Sequence, residues 1–194
     1  MSSKAPSSIV QSSFFSRHKK TLKHLGILWL AFFVLVAVML PFREAGFQDD
    51  YEYHHAVRNL LNTGVFKNSE ITIVTFIFQG YWGALFSHLF GFSYTTLQAA
   101  TLTLFFFGIS AFYLTLLELF SDRKKALFFS LFLLFSPPLL RYAFSFMTDI
   151  PYLSLFLLSI YFAVMTMRTG SLRYAILTGS IGACSFFTRN LGIF

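Results

Sequence analysis

The chain has 194 residues, of which 56% are hydrophobic and only 12% are charged, and its mean hydropathy is +0.65. A soluble domain of this size has too little interior to bury so many apolar side chains, so the composition excludes a soluble globular protein. The net charge of +7 does not indicate nucleic-acid binding, because no basic stripe interleaved with aromatic residues stands on a soluble surface. We therefore predict a membrane protein whose cations set its orientation.

The N-terminal region divides into a polar tail and an apolar run. Residues 1–24 are rich in Ser and Lys, which predicts a disordered basic tail. Residues 25–42 form an apolar run of about the length that crosses a bilayer. The tail is long and Pro41-Phe42-Arg43-Glu44 offers no small-residue cleavage site, which favours an uncleaved anchor over a signal peptide. We predict the first transmembrane helix over 25–42.

Later apolar runs predict four more transmembrane helices, at 95–119, 126–144, 150–167 and 174–188. The run 76–91 is shorter and mixes Gln79, Ser87 and His88 with Tyr81 and Trp82, which is typical of a helix lying in the membrane interface. The predicted fold class is an all-α polytopic membrane protein with about five transmembrane helices. Amphipathic interfacial helices are expected in its first outer loop, residues 43–94.

The distribution of cations favours a topology in which 76–91 does not cross. With a cytoplasmic N-terminus, ten Lys and Arg then lie inside and five outside, whereas crossing would place seven inside and eight outside. The positive-inside rule prefers the first arrangement. It also gathers most acidic residues on the outer face: Glu44, Asp49, Asp50, Glu52, Glu70 and Asp149.

Residues 49–62 form the densest polar stretch between apolar runs and predict a short amphipathic helix. Apolar residues recur in it at helical spacing, and Thr63-Gly64 supplies a stop. Asp49 and Asp50 have two interpretations: an N-cap with a first-turn charge, or a functional acidic pair.

Asp149 is the other acidic residue embedded in apolar sequence. Thr148 or Asp149 followed by Pro151 is a good helix start, yet an acid at a membrane boundary is also a candidate functional group. The charge distribution independently places Asp149 on the same face as Asp49 and Asp50. This convergence favours a shared site.

The outer-loop stretch resembles the first loop of GT-C type membrane glycosyltransferases, which include protein O-mannosyltransferases and lipid A aminoarabinose transferases. In that family an acidic pair follows the first membrane helix, with Tyr four residues and often Arg nine residues after its first member. Asp49-Asp50, Tyr53 and Arg58 match this pattern, and Thr63-Gly64-Val65-Phe66 is similar to the end of the motif.

The resemblance continues along most of residues 43–192, through Leu89-Phe90-Gly91-Phe92-Ser93, Ser136-Pro137 and Thr148-Asp149-Ile150-Pro151. Three features depart from the family pattern. The second acid of the pair is commonly Glu in the family and is Asp50 here. The start of the interfacial segment lacks a Pro-Pro-Leu sequence, and Arg189 stands where a Lys is common. Arg also holds phosphate, and does so bidentately.

The resemblance implies a glycosyltransferase that moves a sugar from a polyprenyl-phosphate donor to a lipid, glycan or protein acceptor at the outer membrane face. Asp49 would act as the base or ligate a divalent metal, Mg²⁺ or Mn²⁺. Asp50 would support it, and Asp149 would orient either the acceptor or the surroundings of Asp49. One base without a second nucleophile implies an inverting single displacement. The residues implied to bind substrate and its phosphate are Tyr53, Arg58, Arg141 and Arg189.

Two other interpretations stay open. A transporter or channel subunit would use Asp149 on an ion path, but the predicted spans are almost without central charges. A truncated non-catalytic membrane protein is the third, because five spans are few for a complete active-site cavity.

Family members are longer, so we expect the N-terminal part of a larger protein. It is expected in a bacterial inner membrane, among membrane lipids and without nucleic acid.

Overall fold

The computed structural model describes residues 7–39, 49–67 and 75–189, with side chains in the first range from Lys20 onward. These ranges are helical and contain no strand, which confirms the predicted all-α class. The helices are α1 (Ser7–Met39), α2 (Asp50–Thr63), α3 (Ile77–Phe90), α4 (Tyr94–Phe120), α5 (Arg123–Leu134), α6 (Pro137–Ala143), α7 (Asp149–Thr169) and α8 (Leu172–Phe186).

Among the described residues, three helices are long and apolar enough to cross a membrane. They are the Lys20–Met39 part of α1, α4 and α7, with 20, 27 and 21 residues. At about 1.5 Å per residue each reaches roughly the 30 Å of a hydrocarbon core. The bent pair of α5 and α6 makes a fourth candidate if both count as one span. The chain is thus an integral membrane protein built from helices.

The predicted spans 126–144 and 174–188 differ from the observed helices. The first is broken by a bend of 61° between α5 and α6, where Pro137 and Pro138 remove backbone donors and start a new helix. The second corresponds to α8, which has 15 residues. Its length of about 22 Å is less than a hydrocarbon core needs.

Residues 7–24 also differ from the predicted disordered tail, because α1 already begins at Ser7. No Gly or Pro interrupts this stretch, and extending a formed helix costs far less than starting one. The apolar part of α1 can therefore propagate a helix back into the polar sequence. Residues 1–6 lie outside the described part of the chain.

The core of the bundle surrounds α4, which contacts α1, α3, α5 and α7. Leu28 and Phe32 of α1 pack with Phe105 and Ile109 of α4 and with Ile150 of α7. The up-and-down order of the long helices places the starts of α4 and α7 at one end and their last turns at the other. Arg168 at the end of α7 pairs with Glu118 near the end of α4, with Nη1 2.6 Å from Oε2.

Charged residues separate between these two ends. We call one of them the carboxylate end, because it holds Asp49 and Asp50 at the start of α2 and Asp149 at the start of α7. Arg189, which follows α8, lies at the same end. The basic end carries Lys20, Lys23, Arg123, Lys124, Lys125, Arg168 and Arg173. The helices predicted at 49–62 and 76–91 are observed as α2 and α3, and both lie at the carboxylate end.

Candidate functional site

Helix α2 turns one face toward the bundle at the carboxylate end. Its buried residues, Asp50, Tyr53, Ala56, Val57 and Leu60, recur every three or four positions and so share one side of the helix. The helix ends at Gly64, whose positive φ of 70° and N–H bond to the Leu60 carbonyl form a left-handed cap. An acidic residue therefore stands on the buried face, beside apolar ones.

Asp50 joins α2 to the segment between α6 and α7. Its side chain is buried, at 1% exposure, and Oδ1 accepts a hydrogen bond from the Phe146 N–H at 2.8 Å. A buried backbone N–H needs an acceptor, and a carboxylate makes a strong one. Asp50 therefore helps to fix the backbone that leads into Asp149, whereas the predicted support of Asp49 by Asp50 stays a prediction.

Gln79 of α3 holds the same residue from its other side. Its Nε2 donates to the Phe146 carbonyl at 2.7 Å, and the side chain is fully buried. Its Oε1 is buried without a hydrogen-bond partner among the described residues. Sequence reasoning used Gln79 only as a sign of an interfacial helix, and no spacing signal connected it to Phe146.

Asp149 and Arg189 form an ion pair between the start of α7 and the residue that follows α8. Both side chains are about one-third exposed. The Arg189 Nε is buried and has no hydrogen-bond partner among the described residues. The structure thus brings together two residues that the sequence placed on the same face, 40 positions apart.

The end of α8 also holds the start of α3. The Phe76 N–H donates to the Thr188 carbonyl at 3.3 Å, and the Phe78 N–H donates to the Phe187 carbonyl at 3.2 Å. Phe76 has a positive φ of 50°, an unusual conformation for a residue with a side chain. These bonds join the start of α3 to the residues directly before Arg189.

Tyr53 lies between the acidic groups. Its ring stacks on Phe76 with centroids 4.4 Å apart and is 4% exposed. Burial, followed by the charges of Asp49 and Asp149, raises the pKa of Tyr53 to about 12, although a Thr148 hydrogen bond and the Arg189 charge act to lower it. The phenol is therefore protonated at neutral pH and can donate a hydrogen bond.

Asp49 is the exposed member of the acidic pair. It occupies the N-cap position of α2, where its backbone oxygen accepts from the Glu52 and Tyr53 N–H groups, but its side chain makes no capping hydrogen bond. The N-cap interpretation is thus right about the position. The Asp49 carboxylate is therefore not used to cap α2.

Arg58 and Arg141 are less closely connected to this site. Arg58 is exposed on α2, with its guanidinium 6.0 Å from the centre of the Phe92 ring. It lies nine residues after Asp49, about 13 Å along a helix. Arg141 is exposed near the end of α6. Arg189, another predicted cation, forms an ion pair with the predicted acid Asp149.

The described residues contain no group of three His, Cys, Asp or Glu side chains that could hold a metal ion. His54 stacks on Tyr94, with ring centroids 3.9 Å apart, and the rings of His54 and His55 are 6.4 Å apart. Among the described residues, the donor set around Asp49 is thus smaller than a metal held by three such side chains requires. We assign roles at the carboxylate end to protein groups alone.

No family model matches this chain, and neither a curated protein nor a solved structure is similar to it. The side chains at the carboxylate end are therefore the basis for assigning a function. They combine an exposed carboxylate (Asp49), a neutral phenol (Tyr53) and an Arg held by a second carboxylate (Arg189 and Asp149). Such a set can accept a proton at one point and stabilise negative charge at another.

Proposed function

We propose that this chain takes part in glycosyl transfer from a polyprenyl-phosphate sugar to a hydroxyl acceptor at the membrane surface. The observation that supports the proposal is the grouping of Asp49, Tyr53, Asp149 and Arg189 at one end of the membrane helices. A donor anchored by a polyprenyl chain presents its phosphate and sugar at the same depth as these side chains. The acceptor is a lipid, a glycan or a protein.

Each group has a role in a single displacement. The Asp49 carboxylate takes the proton of the acceptor hydroxyl, and the acceptor oxygen forms a bond to the anomeric carbon. The bond from that carbon to the phosphate oxygen breaks, and its electron pair leaves with the polyprenyl phosphate. Because the attacking oxygen enters opposite the leaving group, the anomeric configuration inverts.

The developing charge on the phosphate needs donors. Arg189 supplies a cation, and Tyr53 supplies a neutral O–H donor. Asp149 positions the Arg189 guanidinium through the ion pair, a role that replaces the acceptor orientation implied by the resemblance. Asp50, through Phe146, positions the backbone before Asp149.

The charge separation suggests the orientation. The positive-inside rule places the basic end and the N-terminus in the cytoplasm and the carboxylate end at the outer face. This is the side on which polyprenyl-phosphate sugars are used by the family that the sequence resembles. A bacterial inner membrane is the proposed location.

Substitution of Asp49 by Asn tests the proposed base. The Asn side chain keeps size and polarity but cannot take the acceptor proton, so transfer should fall by about 10²–10⁴-fold. Transfer of radiolabelled sugar from a polyprenyl-phosphate donor is measured in membranes that contain the protein at its natural length. Protein level and thermal stability in detergent should not change, since the Asp49 side chain is exposed and makes no cap.

Glu52→Gln is the matched control, because it removes the same charge from the first turn of the same helix. It should retain transfer within a factor of about two, as expected for a surface substitution. Full transfer by the Asp49 variant would disprove the proposed mechanism. Equal losses in the two variants would show that α2 needs negative charge at its start rather than a base at Asp49.

A further inference from the structure

A cavity lies at the basic end, remote from the carboxylate end. It measures about 410 Å³ and lies between α1 and the turn that joins α4 to α5. Its lining residues are Lys20, His24, Ser121, Asp122, Arg123 and Lys124. This volume lies within the usual range of small-molecule sites.

The cavity carries a net positive charge. Three permanent cations line it, Lys20, Arg123 and Lys124, against one carboxylate, Asp122. Asp122 Oδ1 already accepts from the backbone N–H groups of Lys124 and Lys125, at 2.9 and 3.2 Å. These two bonds hold the pKa of Asp122 below its usual value, and the bond from the Lys125 N–H has the larger effect. Its charge is thus committed to capping α5, and an anion entering the cavity meets mainly cations.

One of the lining cations, Arg123, is held by a contact between two helices. Arg123 donates from Nε to the Thr21 hydroxyl at 3.4 Å, which ties the start of α5 to α1. Within the described part of the chain, its terminal guanidinium nitrogens make no hydrogen bond or ion pair. The His24 Nδ1–H donates to the Lys20 carbonyl at 2.8 Å, which fixes that ring on α1. Two lining side chains, Arg123 and His24, are therefore held in place by hydrogen bonds.

Its surroundings are apolar on the side of the membrane helices. Leu22, Leu119 and Phe120 are neighbours of the lining residues in sequence and are 61%, 60% and 58% exposed. Because α1 and α4 are membrane spans, their ends lie at a bilayer surface. A ligand that contacts both regions needs an anionic group to enter the cavity and an apolar part to cover the exposed side chains.

We infer that this cavity binds the phosphate headgroup of an anionic phospholipid. Arg and Lys are the side chains that hold phosphate, and basic pockets between helices at a membrane surface suit anionic headgroups. Lys20, Arg123 and Lys124 neutralise the negative charge of the phosphate, and the acyl chains lie along α1 and α4. The inference is independent of the reaction proposed at the carboxylate end.

The test compares two double variants of the complete protein, purified in mild detergent from membranes that contain phosphatidylglycerol. Lys20→Gln with Lys124→Gln removes two lining charges, whereas Lys23→Gln with Arg173→Gln removes two exposed charges of the basic end that do not line the cavity. Co-purified lipid is extracted and quantified by mass spectrometry. The lining variant should retain at least about tenfold less phosphatidylglycerol, and the control should stay within about twofold of the parent.

Two further measurements keep the result decisive. If the lining double variant does not fold, the single variants Lys124→Gln and Lys23→Gln are compared in the same way. Lys124→Gln alone should then retain about fivefold less phosphatidylglycerol. Binding of inorganic phosphate to lipid-depleted protein is measured by calorimetry. Equal lipid loss in lining and control variants, or no loss in either, overturns the inference. Phosphate binding that needs Lys20 and Lys124 while lipid retention does not would identify a site for free phosphate instead.

Discussion

Asp50 shows how one residue can connect distant parts of this chain. A buried carboxylate is costly unless it is hydrogen-bonded, and first-turn acids of helices commonly remain in solvent. Here the carboxylate is 1% exposed and accepts from the Phe146 N–H, 96 residues away in sequence. Because Gln79 binds the carbonyl of the same residue, α2 and α3 together fix the approach to Asp149.

We therefore expect Asp50→Ala to lower the free energy of unfolding by about 1–3 kcal/mol, because it leaves the buried Phe146 N–H without this acceptor. Thermal unfolding in detergent measures the change. Asp50→Asn keeps an oxygen acceptor and should be milder, while Glu52→Ala, from the same helical turn, serves as the control. An Asp50→Ala variant as stable as the parent would contradict a positioning role for Asp50.

Close contact between helices α4 and α7 depends on small residues. A Cβ built on Gly108 would lie 2.6 Å from the Ser154 Cα and 2.7 Å from its Cβ. Since the obstructing atoms include backbone, a methyl group there can be accommodated only by moving one helix. Small residues allow membrane helices to approach in this way.

Gly108→Ala should accordingly destabilise the protein by about 1–3 kcal/mol through overpacking, measured as a lower unfolding temperature in detergent. Gly179→Ala in α8 is the matched control, since a Cβ at that position meets no atom within 4 Å. Better helix propensity should make the control neutral or more stable. If both variants behave alike, the packing of α4 on α7 is looser than described.

At the scale of single helices, hydropathy did not predict the bend between α5 and α6. The apolar run 126–144 continues through Ser136-Pro137-Pro138, because mean hydropathy depends on side chains and not on backbone donors. The prolines still break the helix, by 61°. Helices α2 and α3 were predicted to within one residue at each end, since their polar flanks and glycine stops are local signals.

At the scale of the whole molecule, charge separates along the bundle axis. Acidic residues gather at the starts of α2 and α7, and cations gather around the start of α5 and the last turns of α4 and α7. This separation agrees with a topology in which α3 lies at one end and does not cross. It separates the carboxylate end and the basic cavity to opposite ends of the helix bundle.

Thiol labelling tests this arrangement. Cys184 is first replaced by Ala, and single cysteines are introduced at the exposed positions His55 and Lys125. A membrane-impermeant thiol reagent should label His55→Cys on intact spheroplasts and Lys125→Cys only after lysis, because the positive-inside rule places the basic end in the cytoplasm. Labelling of both from the same side would contradict the proposed topology.

By itself, the sequence determined the membrane class, the helical fold, the short helices of the first loop and the gathering of Asp49, Asp50 and Asp149 at one end of the bundle. These properties follow from composition, apolar run length and local stop signals, which need no knowledge of contacts. The tertiary structure alone decided that Asp50 and Gln79 bind the same residue and that Asp149 pairs with Arg189. Those contacts join residues 40 to 96 positions apart, and only the packing of helices against one another specifies which distant side chains meet.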